Sequence, residues 1–485
     1  MREIGHRTFT HEDQQSFAML SGDCNPMHVS SVAARRLITG RQVVHGIHLV
    51  TTALEYWTNE DGAVPISIAC SFSNPVSVGD KVVFAQLNRS DGSVVIEASV
   101  NGLLCSKISI GTTRGGRNSV LLAACAQDSA SKTPPVLERL TSPIELPPES
   151  HVGKSYRIGL GRQDLSNRFP RSCSHLGENR VAALLALSYF VGMVCPGLHS
   201  IFSSLALNLV SGRDSEDSLT VSVNAYDARF GLFDCSVSGC LQGNVKAFLR
   251  PAPQEQPTLS EIAGSVAPGE FKGTMSLVIG GSRGLGETTA KILAAGGGSV
   301  IITFAQGQLE AGKVRDEINS SGLGQCEVAK LDLMTDSLDS TNIDVDSLDT
   351  VFYFATPRIA RRKSVLLDPQ MFAEFCGYYI DKFYDLCAYL ESNLKTKRTK
   401  VYFPSSVFVS ERPSGMAEYA MAKAAAEVLI DEINRFSKKV SVVATRLPRL
   451  STDQTSSILR LTTADNLAAM LPVVRSIMEP SRASR

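Results

Sequence analysis

Two ionisable side chains near the N-terminus, Asp23 and His28, lie five positions apart in the sequence Ser-Gly-Asp-Cys-Asn-Pro-Met-His. Within it, Pro26 fixes its own φ angle and pushes Asn25 away from helical backbone, while Gly22 permits conformations that other residues resist. We therefore expect a shaped turn that aims a carboxylate and an imidazole at one point. Such a pair can carry out general acid–base chemistry, although the same residue types are common in ordinary turns.

A second reactive group lies near the C-terminus. Tyr419 and Lys423 are four positions apart, so on a helix they share one face. A phenol has an ordinary pKa near 10, and a nearby ammonium lowers it. Ser406 lies 13 residues before the tyrosine and could hydrogen-bond the same substrate oxygen. These residues predict protonation of a carbonyl oxygen while hydride arrives at the carbon.

A glycine-rich turn lies between an apolar strand pattern, 276–279, and a helical pattern from Glu287 through Ala295. A turn in this position lets the backbone approach a pyrophosphate and aims helix N–H groups at it. The strand–turn–helix context, more than the glycines alone, predicts a dinucleotide site. Its cofactor-binding residues would be Gly280, Ser282, Arg283, Gly284, Leu285 and Gly286.

The next strand pattern, 299–304, is followed by Ala-Gln-Gly-Gln. This sequence contains no acid to bind a ribose 2′-hydroxyl, as an NAD site usually requires. Arg283 could instead meet a 2′-phosphate. NADPH is therefore favoured over NADH.

Length and composition narrow the class of protein. A chain of 485 residues predicts two to four domains, and a net charge of zero suggests neither nucleic acid nor a membrane surface as a partner. There is no apolar run of about 18 residues for a membrane span and no apolar leader segment at the start. The 11 cysteines are scattered without metal-type spacing, so we predict reduced thiols, a cytoplasmic location and no metal.

The elements that must position the reactive groups fall into four regions. Residues 1–112 combine a helix pattern beginning at Gly46 with four strand patterns. Residues 113–150 are rich in Ser, Thr and Pro and are expected to be a linker. Residues 151–258 hold an apolar run followed by four more strand patterns. Residues 259–485 alternate strand and helix patterns, which predicts a parallel sheet with flanking helices.

The region around Asp23 resembles the MaoC-type hydratase/dehydratase family. The resemblance implies a hotdog fold and the addition or removal of water at the double bond of a 2-enoyl thioester. By the same resemblance, Asp23 and His28 are the catalytic dyad and Asn25 orients one of them. The backbone N–H of Gly46, at a helix start, is placed to stabilise the thioester oxygen. The motifs are Phe17-Ala18, Ser21-Gly22-Asp23, Asn25-Pro26, His28, Ala33-Ala34, Val44-His45-Gly46, Pro75-Val76 and Gly79-Asp80.

The region 151–258 reads as a second, degenerate hotdog domain. The sequence Cys195–Ile201 echoes Val44–Val50, with Pro196 in the place of His45, which indicates an internal repeat. The Asp-x-Asn-Pro-x-His turn is missing from this half, so we expect it to be structural and to help line an acyl tunnel. An unrelated domain is the alternative.

The C-terminal region resembles the short-chain dehydrogenase/reductase family through the Gly-x-x-x-Gly-x-Gly turn and the Ser, Tyr and Lys positions. The resemblance implies that Asp332, followed by Leu333, contacts the adenine and that Lys423 also holds the nicotinamide ribose. Ala355 lies where the family has an Asn-Ala-Gly sequence at the end of a strand, and this chain keeps only the Ala of that sequence. Pro448 opens the loop that, in the family, wraps the nicotinamide. The family's proton-relay Asn is absent near Tyr379, so the relay must differ or be weaker.

The predicted protein is therefore multidomain, α+β and α/β: a double hotdog followed by a Rossmann doubly wound parallel sheet. Its predicted function is NADPH-dependent reduction of 3-oxoacyl thioesters, together with dehydration and hydration between 3-hydroxyacyl and 2-enoyl thioesters. The partner is an acyl thioester of coenzyme A or of acyl carrier protein, and a homodimer is expected. One alternative is a reductase whose hotdog half only binds acyl chains. The other is a scaffold in a lipid or polyketide assembly.

Overall fold

A computed structural model describes residues 1–37, 39–59, 62–113, 134–161, 164–213, 215–359, 365–395, 397–455 and 462–479. They form two compact units, the first being Met1–Ala252 and the second beginning at Pro253. Most of the predicted linker 113–150 lies outside the described residues. Among those described, no helix is both long and apolar enough to cross a membrane.

Within the described residues, the first unit is built on one antiparallel sheet of ten strands, accompanied by seven α-helices and by short 3₁₀ and π-helical segments. The sheet order is β1-β3-β4-β5-β2-β7-β10-β9-β8-β6. The strands are β1 Arg2–Thr8, β2 Pro65–Phe72, β3 Lys81–Asn88, β4 Val94–Val100, β5 Leu103–Thr112, β6 Ser155–Gly159, β7 Ser200–Leu209, β8 Ser218–Asp227, β9 Leu232–Ser238 and β10 Leu241–Leu249. The helices are α1 His11–Ser21, α2 Pro26–Val29, α3 Ser31–Ala34, α4 Gly46–Tyr56, α5 Leu165–Arg168, α6 Pro170–Leu176 and α7 Glu178–Tyr189.

The sheet consists of two halves with the same strand order. Strands β1-β3-β4-β5-β2 of the first half correspond to β6-β8-β9-β10-β7 of the second, and β2 joins the halves by pairing antiparallel with β7. Each half packs its sheet against an apolar helix, α4 or α7, within one continuous core. The long helix of each half precedes the strand at the junction, so the repeat is visible in the topology.

The specific residue correspondence proposed for the repeat is wrong. Val44-His45-Gly46 leads into α4, whereas Cys195-Pro196 follows α7 and a π-helical turn, Phe190–Val194, and leads into β7. Pro196 therefore does not take the position of His45. The apolar character shared by the two segments reflects burial in one core and not equivalent places in the fold.

The second unit has a parallel sheet of six strands in the order β13-β12-β11-β14-β15-β16. The strands are β11 Met275–Ile279, β12 Ser299–Phe304, β13 Gln325–Lys330, β14 Thr350–Tyr353, β15 Thr399–Ser406 and β16 Val440–Leu447. The helices are α8 Leu259–Ala263, α9 Gly284–Ala295, α10 Gln308–Ser321, α11 Pro369–Cys376, α12 Lys382–Asn393, α13 Phe408–Glu411, α14 Ala417–Phe436 and α15 Asn466–Met478.

Both faces of this sheet are buried, because successive strand residues enter different cores. In β11, Leu277 and Ile279 pack on one side, whereas Val278 packs on the other. The first side is covered by α11, α12 and α14, and the second by α9, α10 and α15. Burial on both faces explains the nearly continuous apolar sequence of these strands.

Candidate active sites

Local capping shapes the turn that carries Asp23 and His28. Helix α1 ends at Ser21, and Gly22 takes a left-handed conformation with φ of 81°. The side chain of Asn25 then caps the short helix α2, accepting a hydrogen bond from the backbone N–H of Met27 at 3.2 Å. The Gly, Asn and Pro of the motif thus produce the turn that their types predicted.

The carboxylate of Asp23 is buried and is held by both halves of the sheet. It accepts hydrogen bonds from the Ser188 hydroxyl at 2.7 Å and from the backbone N–H of Asn25 at 3.3 Å. Gly192 leaves room for it, since a Cβ on Gly192 would lie 2.1 Å from Asp23 Oδ1. Burial raises the pKa of the Asp23 carboxyl, and these hydrogen bonds oppose the rise.

His28 has its tautomer set by a backbone carbonyl. Its Nδ1 lies 2.9 Å from the oxygen of Val43, which can only accept, so Nδ1 donates and, in the neutral ring, Nε2 keeps a lone pair. The ring stacks on His45 with centroids 3.9 Å apart. Burial lowers the pKa of His28, whereas the Asp23 carboxylate raises it. The unprotonated imidazole is therefore available as a base.

Asn25 has a different set of partners from the predicted ones. Its side-chain amide donates to the carbonyl oxygens of Gly192 at 2.8 Å and Gly197 at 3.1 Å, both in the second half. The contact of Asn25 with the Asp23 carboxylate is made by its backbone N–H. The amide side chain of Asn25 thus holds the turn against the second half. These two hydrogen bonds also fix where the amide lies relative to Asp23.

Gly46 is the first residue of α4, directly after the buried His45. A Cβ on Gly46 would lie 3.0 Å from the Phe72 ring, so the position is tightly packed. Because α4 begins at Gly46, the positive end of its dipole lies next to His45, whose ring stacks on His28. This arrangement suits a negatively charged oxygen beside the dyad.

Sequence reasoning did not identify His45, Ser188 or Gly192 as site residues. Asp23, His28 and His45 also bring one metal-ligating atom each to within 4.8 Å of one another. Both ring nitrogens of His45, however, face oxygen acceptors of the protein, and Nδ1 of His28 donates to Val43. This donor set leaves too few free lone pairs for a metal centre, and we assign none.

The glycine turn of the second unit requires glycine at several places. Gly280 and Gly284 have φ angles of 77° and 58°, and a Cβ on Gly286 would lie 2.2 Å from the oxygen of Gly280. Helix α9 begins at Gly284, so its N-terminus follows the turn directly. Ser282 is buried beside it, and Leu285 is partly buried. The close backbone packing fits a site where a pyrophosphate approaches a helix N-terminus.

The other predicted cofactor residues lie after the carboxyl ends of strands in the same sheet. Leu333 and Asp332 follow β13, Ala355 follows β14, and Pro448 follows β16. The carboxyl ends of parallel strands share one edge, which is where open sheets of this kind bind ligands. The carboxylate of Asp332 accepts a 3.1 Å hydrogen bond from the N–H of Met334 in its own turn.

Arg283 is paired within the protein. Its Nη1 lies 3.3 Å from Asp453 Oδ2, in the turn Asp453–Thr455 after β16. A 2′-phosphate would therefore compete with a carboxylate for this guanidinium. The residues directly after β12, Ala305 and Gln306, are exposed.

Ser406, Tyr419 and Lys423 lie near one another in the second unit. Ser406 ends β15, and Lys423 lies one turn beyond Tyr419 on α14, with its Nζ 5.8 Å from the centroid of the tyrosine ring. The sequence predicted that the Lys423 ammonium lowers the pKa of the Tyr419 phenol. This prediction is wrong, because burial raises that pKa to about 12. Burial also lowers the pKa of Lys423, whose Nζ donates to the oxygen of Pro404 at 2.6 Å.

Tyr379 covers the lysine. It lies in a π-helical turn, Gly377–Asp381, and its ring centroid is 3.7 Å from Lys423 Nζ. Its hydroxyl is 2.5 Å from the hydroxyl of Thr356. An aromatic ring thus borders Lys423 where the family resemblance implies a relay amide.

Comparison with known proteins identifies the N-terminal segment. Residues 2–98 match the family model described as MaoC like domain, so this segment is a MaoC-like domain, as its motifs predicted. The 3-hydroxybutyryl-CoA dehydratase of Methylorubrum extorquens is 34% identical over 85 residues, which is 17% of this chain and 54% of that enzyme. The chain thus spans about half the length of the curated relative that it matches.

Solved structures similar to this chain include a short chain dehydrogenase from Salmonella enterica, with 20% identity, a TM-score of 0.37 and coverage of 44% of this chain and 92% of that chain. A 3-oxoacyl (acyl-carrier-protein) reductase from Agrobacterium tumefaciens with NADP bound has 22% identity and a TM-score of 0.34, covering 38% of this chain and 73% of that chain. At these identities and TM-scores the likeness carries no argument about activity.

Proposed function

We propose that this chain is a bifunctional acyl-thioester enzyme. Its first unit interconverts 3-hydroxyacyl and 2-enoyl thioesters, and its second unit reduces 3-oxoacyl thioesters with NADPH. The observation that carries the proposal is the turn that holds the buried Asp23 beside His28, whose pKa is lowered by burial, within a segment that matches the MaoC-like family. The geometry of Ser406, Tyr419 and the glycine turn supports the second activity.

The folds are interpreted accordingly. Two halves with the same strand order, each packed on one apolar helix, support a double hotdog for the first unit. A parallel sheet in the order 3-2-1-4-5-6, counted from its first strand, supports a Rossmann fold for the second. The proposed domains keep their predicted bounds, 1–112, 151–258 and 259–485.

In dehydration, the dyad of Asp23 and His28 takes the proton from Cα and returns a proton to the departing hydroxyl. The Cα–H and C3–O bonds break, the Cα–C3 double bond forms, and water leaves. Hydration is the reverse. The N–H of Gly46, at the positive end of α4, stabilises the charge that develops on the thioester oxygen.

In reduction, bound NADPH would supply the hydride. The glycine turn and the N-terminus of α9 would hold the pyrophosphate, Asp332 and Leu333 would contact the adenine, and Ala355 and Pro448 would line the remainder of the cofactor site. Tyr419 protonates the carbonyl oxygen, to which Ser406 donates a hydrogen bond. Lys423 would hold the nicotinamide ribose through an Nζ hydrogen other than the one that it donates to the Pro404 oxygen.

Coenzyme A thioesters are the favoured substrates, because the curated relative is a dehydratase of 3-hydroxybutyryl-CoA by its name. Thioesters of acyl carrier protein are the alternative. NADPH is favoured over NADH by Arg283 and by the lack of an acid after β12. The acyl tunnel and the homodimer stay predictions.

A second candidate function follows from two contacts in the second unit. Tyr379 packs on Lys423, and Asp453 pairs with Arg283. These contacts favour a chain that hydrates or dehydrates thioesters while its second unit serves as a nucleotide-binding or scaffolding module. The opposite case, a reductase whose hotdog half only binds acyl chains, predicts that the parent chain forms the 3-hydroxy product alone.

The deciding experiment incubates the protein with NADPH and a short 3-oxoacyl-CoA and identifies the products by mass. A mixture of 3-hydroxy and enoyl products is expected. Asp23→Asn should stop the reaction at the 3-hydroxy product, and Tyr419→Phe should prevent NADPH consumption while leaving hydration of added enoyl-CoA intact. Absence of NADPH consumption with both CoA and carrier-bound substrates would establish the second candidate.

A further inference from the structure

The hydrogen-bond partners of Gln14 indicate which ring nitrogens of His45 carry a hydrogen. The backbone N–H of His45 donates to Gln14 Oε1 at 3.0 Å, so this atom of the amide is the oxygen. The same oxygen lies 2.9 Å from His45 Nδ1, which must therefore carry a hydrogen. Gln14 Nε2 then points to His48 Nδ1 at 3.4 Å, where it donates.

The second ring nitrogen of His45 also faces oxygen. Nε2 lies 3.0 Å from the backbone oxygen of Asp23 and 3.9 Å from Asp23 Oδ2. A carbonyl oxygen can only accept, so an unprotonated Nε2 would set a lone pair against it. Both nitrogens of His45 are therefore placed as donors, which describes an imidazolium.

Burial by itself disfavours either charge. It raises the pKa of the Asp23 carboxyl and lowers the pKa of the His45 imidazole. A protonated Asp23 with a neutral His45, and a carboxylate with an imidazolium, contain the same number of protons and the same net charge. The two groups share one proton, and hydrogen bonding decides where it resides. On Asp23 both carboxylate oxygens accept hydrogen bonds, whereas on His45 both nitrogens face acceptors.

We propose that His45 is a positioning residue that carries this proton as an imidazolium, and that it thereby keeps Asp23 ionised and His28 unprotonated. The catalytic consequence rests on the proposed hydratase/dehydratase function, whereas the charge state itself does not. Gln14 is the residue that enforces it, since its oxygen binds both the backbone N–H and Nδ1 of His45.

The other charged groups near His45 fit this assignment. His28 stacks on it at 3.9 Å and would be repelled if protonated. His48, on α4, is neutral, since burial lowers its pKa to about 3 and its Nδ1 accepts from Gln14. Arg250, at the end of β10, adds a further positive charge that lowers the pKa of His28. Asp23 supplies the balancing negative charge.

The charge state is tested by ¹⁵N NMR of the full chain labelled at histidine. His45→Asn keeps a donor for Gln14 but cannot carry the charge, and it identifies the His45 resonances by their loss. Two protonated ring nitrogens on His45 at pH 7.5 are expected. One protonated and one unprotonated nitrogen would overturn the proposal. The measurement needs no activity; the variant serves only to assign the resonances, and the charge state is read from the parent chain.

The catalytic consequence is tested by the pH dependence of kcat/KM for hydration of a short 2-enoyl-CoA. Without the imidazolium, the active form with Asp23 ionised and His28 neutral carries an uncompensated buried charge. In His45→Asn the acid limb should therefore move up by one pH unit or more, with the rate recovering to within about tenfold of the parent at pH 9. A loss of rate by the same factor at every pH would mean a merely structural role and would overturn the proposal.

His6→Gln is the matched control, because His6 is 56% exposed on β1 and its profile should equal the parent's. The two tests separate the proposals. If the parent chain hydrates no enoyl thioester, the proposed function fails, and the NMR result still decides the charge of His45.

Discussion

The hydroxyl of Ser188 donates a 2.7 Å hydrogen bond to the carboxylate of Asp23, although the two residues are 165 positions apart. Ser188 lies in the last turn of α7, and Gly192, just beyond it, leaves the space that the carboxylate occupies. The second half of the sheet lacks the Asp-x-Asn-Pro-x-His turn, yet it completes the site that this turn forms.

Replacing Ser188 by Ala should slow hydration of enoyl-CoA. A hydrogen bond to a charged group contributes about 1.5–3 kcal/mol, so kcat/KM should fall roughly 10- to 150-fold. The acid limb of the pH profile should also move up, because the hydroxyl lowers the pKa of Asp23. Ser155→Ala removes an exposed hydroxyl from β6 and is the control. Equal kinetics in both variants would contradict a role for Ser188.

Gly192→Ala should abolish hydration, since the added Cβ would lie 2.1 Å from Asp23 Oδ1 and must displace the carboxylate. We expect a loss of at least about 100-fold with circular dichroism little changed. Gly312→Ala serves as the control, because a Cβ there meets nothing within 4 Å. Retention of full activity in Gly192→Ala would show that the carboxylate can act from another position.

The stability of the first unit should depend on His48 below neutral pH. Burial lowers its pKa to about 3 in the folded chain, against about 6.5 when unfolded. The unfolded chain therefore binds a proton between these values that the folded chain does not. Stability that is present above pH 6.5 should be lost as the pH falls towards 3, by up to about 1.4 kcal/mol per pH unit.

Thermal melting of the parent and of His48→Gln across this pH range checks the prediction. The variant should show a shallower loss of melting temperature on acidification, whereas the control His6→Gln should follow the parent. Parallel curves for the parent and His48→Gln would contradict it.

Tyr379→Asn should change the pH dependence of NADPH oxidation with a 3-oxoacyl-CoA. The smaller side chain admits water to Lys423, which relieves the burial that lowers its pKa. Removing a fully buried ring should also destabilise the second unit by about 3–5 kcal/mol. Tyr379→Phe keeps the ring over Lys423 and should keep the parental pH profile. An unchanged profile in the Asn variant would contradict a shielding role for the ring.

Asp453→Asn should strengthen NADPH binding. It removes a carboxylate 3.3 Å from Arg283, so that a 2′-phosphate no longer competes with this carboxylate for the guanidinium. Because a charge pair near the surface is worth on the order of 1 kcal/mol, we expect roughly a fivefold lower Kd. Arg283→Ala should weaken NADPH binding while leaving NADH binding nearly unchanged. Fluorescence titration with both nucleotides measures the two effects. Equal losses for NADPH and NADH would show that Arg283 does not read the 2′-phosphate.

Much of this molecule could be predicted from short stretches of sequence. The strand patterns 65–72 and 81–89 correspond to β2 and β3, and the helix beginning at Gly46 is α4. Periodicity and turn residues act over a few positions, so they can be read without knowing the fold. Strands β1 and β6 were missed, because both lie at the edges of the sheet, where their burial patterns are weak.

The sequence by itself determined the turn that carries Asp23 and His28, the glycine turn after β11, and the placing of Tyr419 and Lys423 on one helix face. Each depends on residues within a few positions of one another. Only the tertiary structure decided that Ser188 and Gly192 complete the first site and that Tyr379 covers Lys423. These contacts join segments far apart in the chain. They exist because β2 pairs with β7 and because α14 packs against the turn that carries Tyr379, which no local pattern encodes.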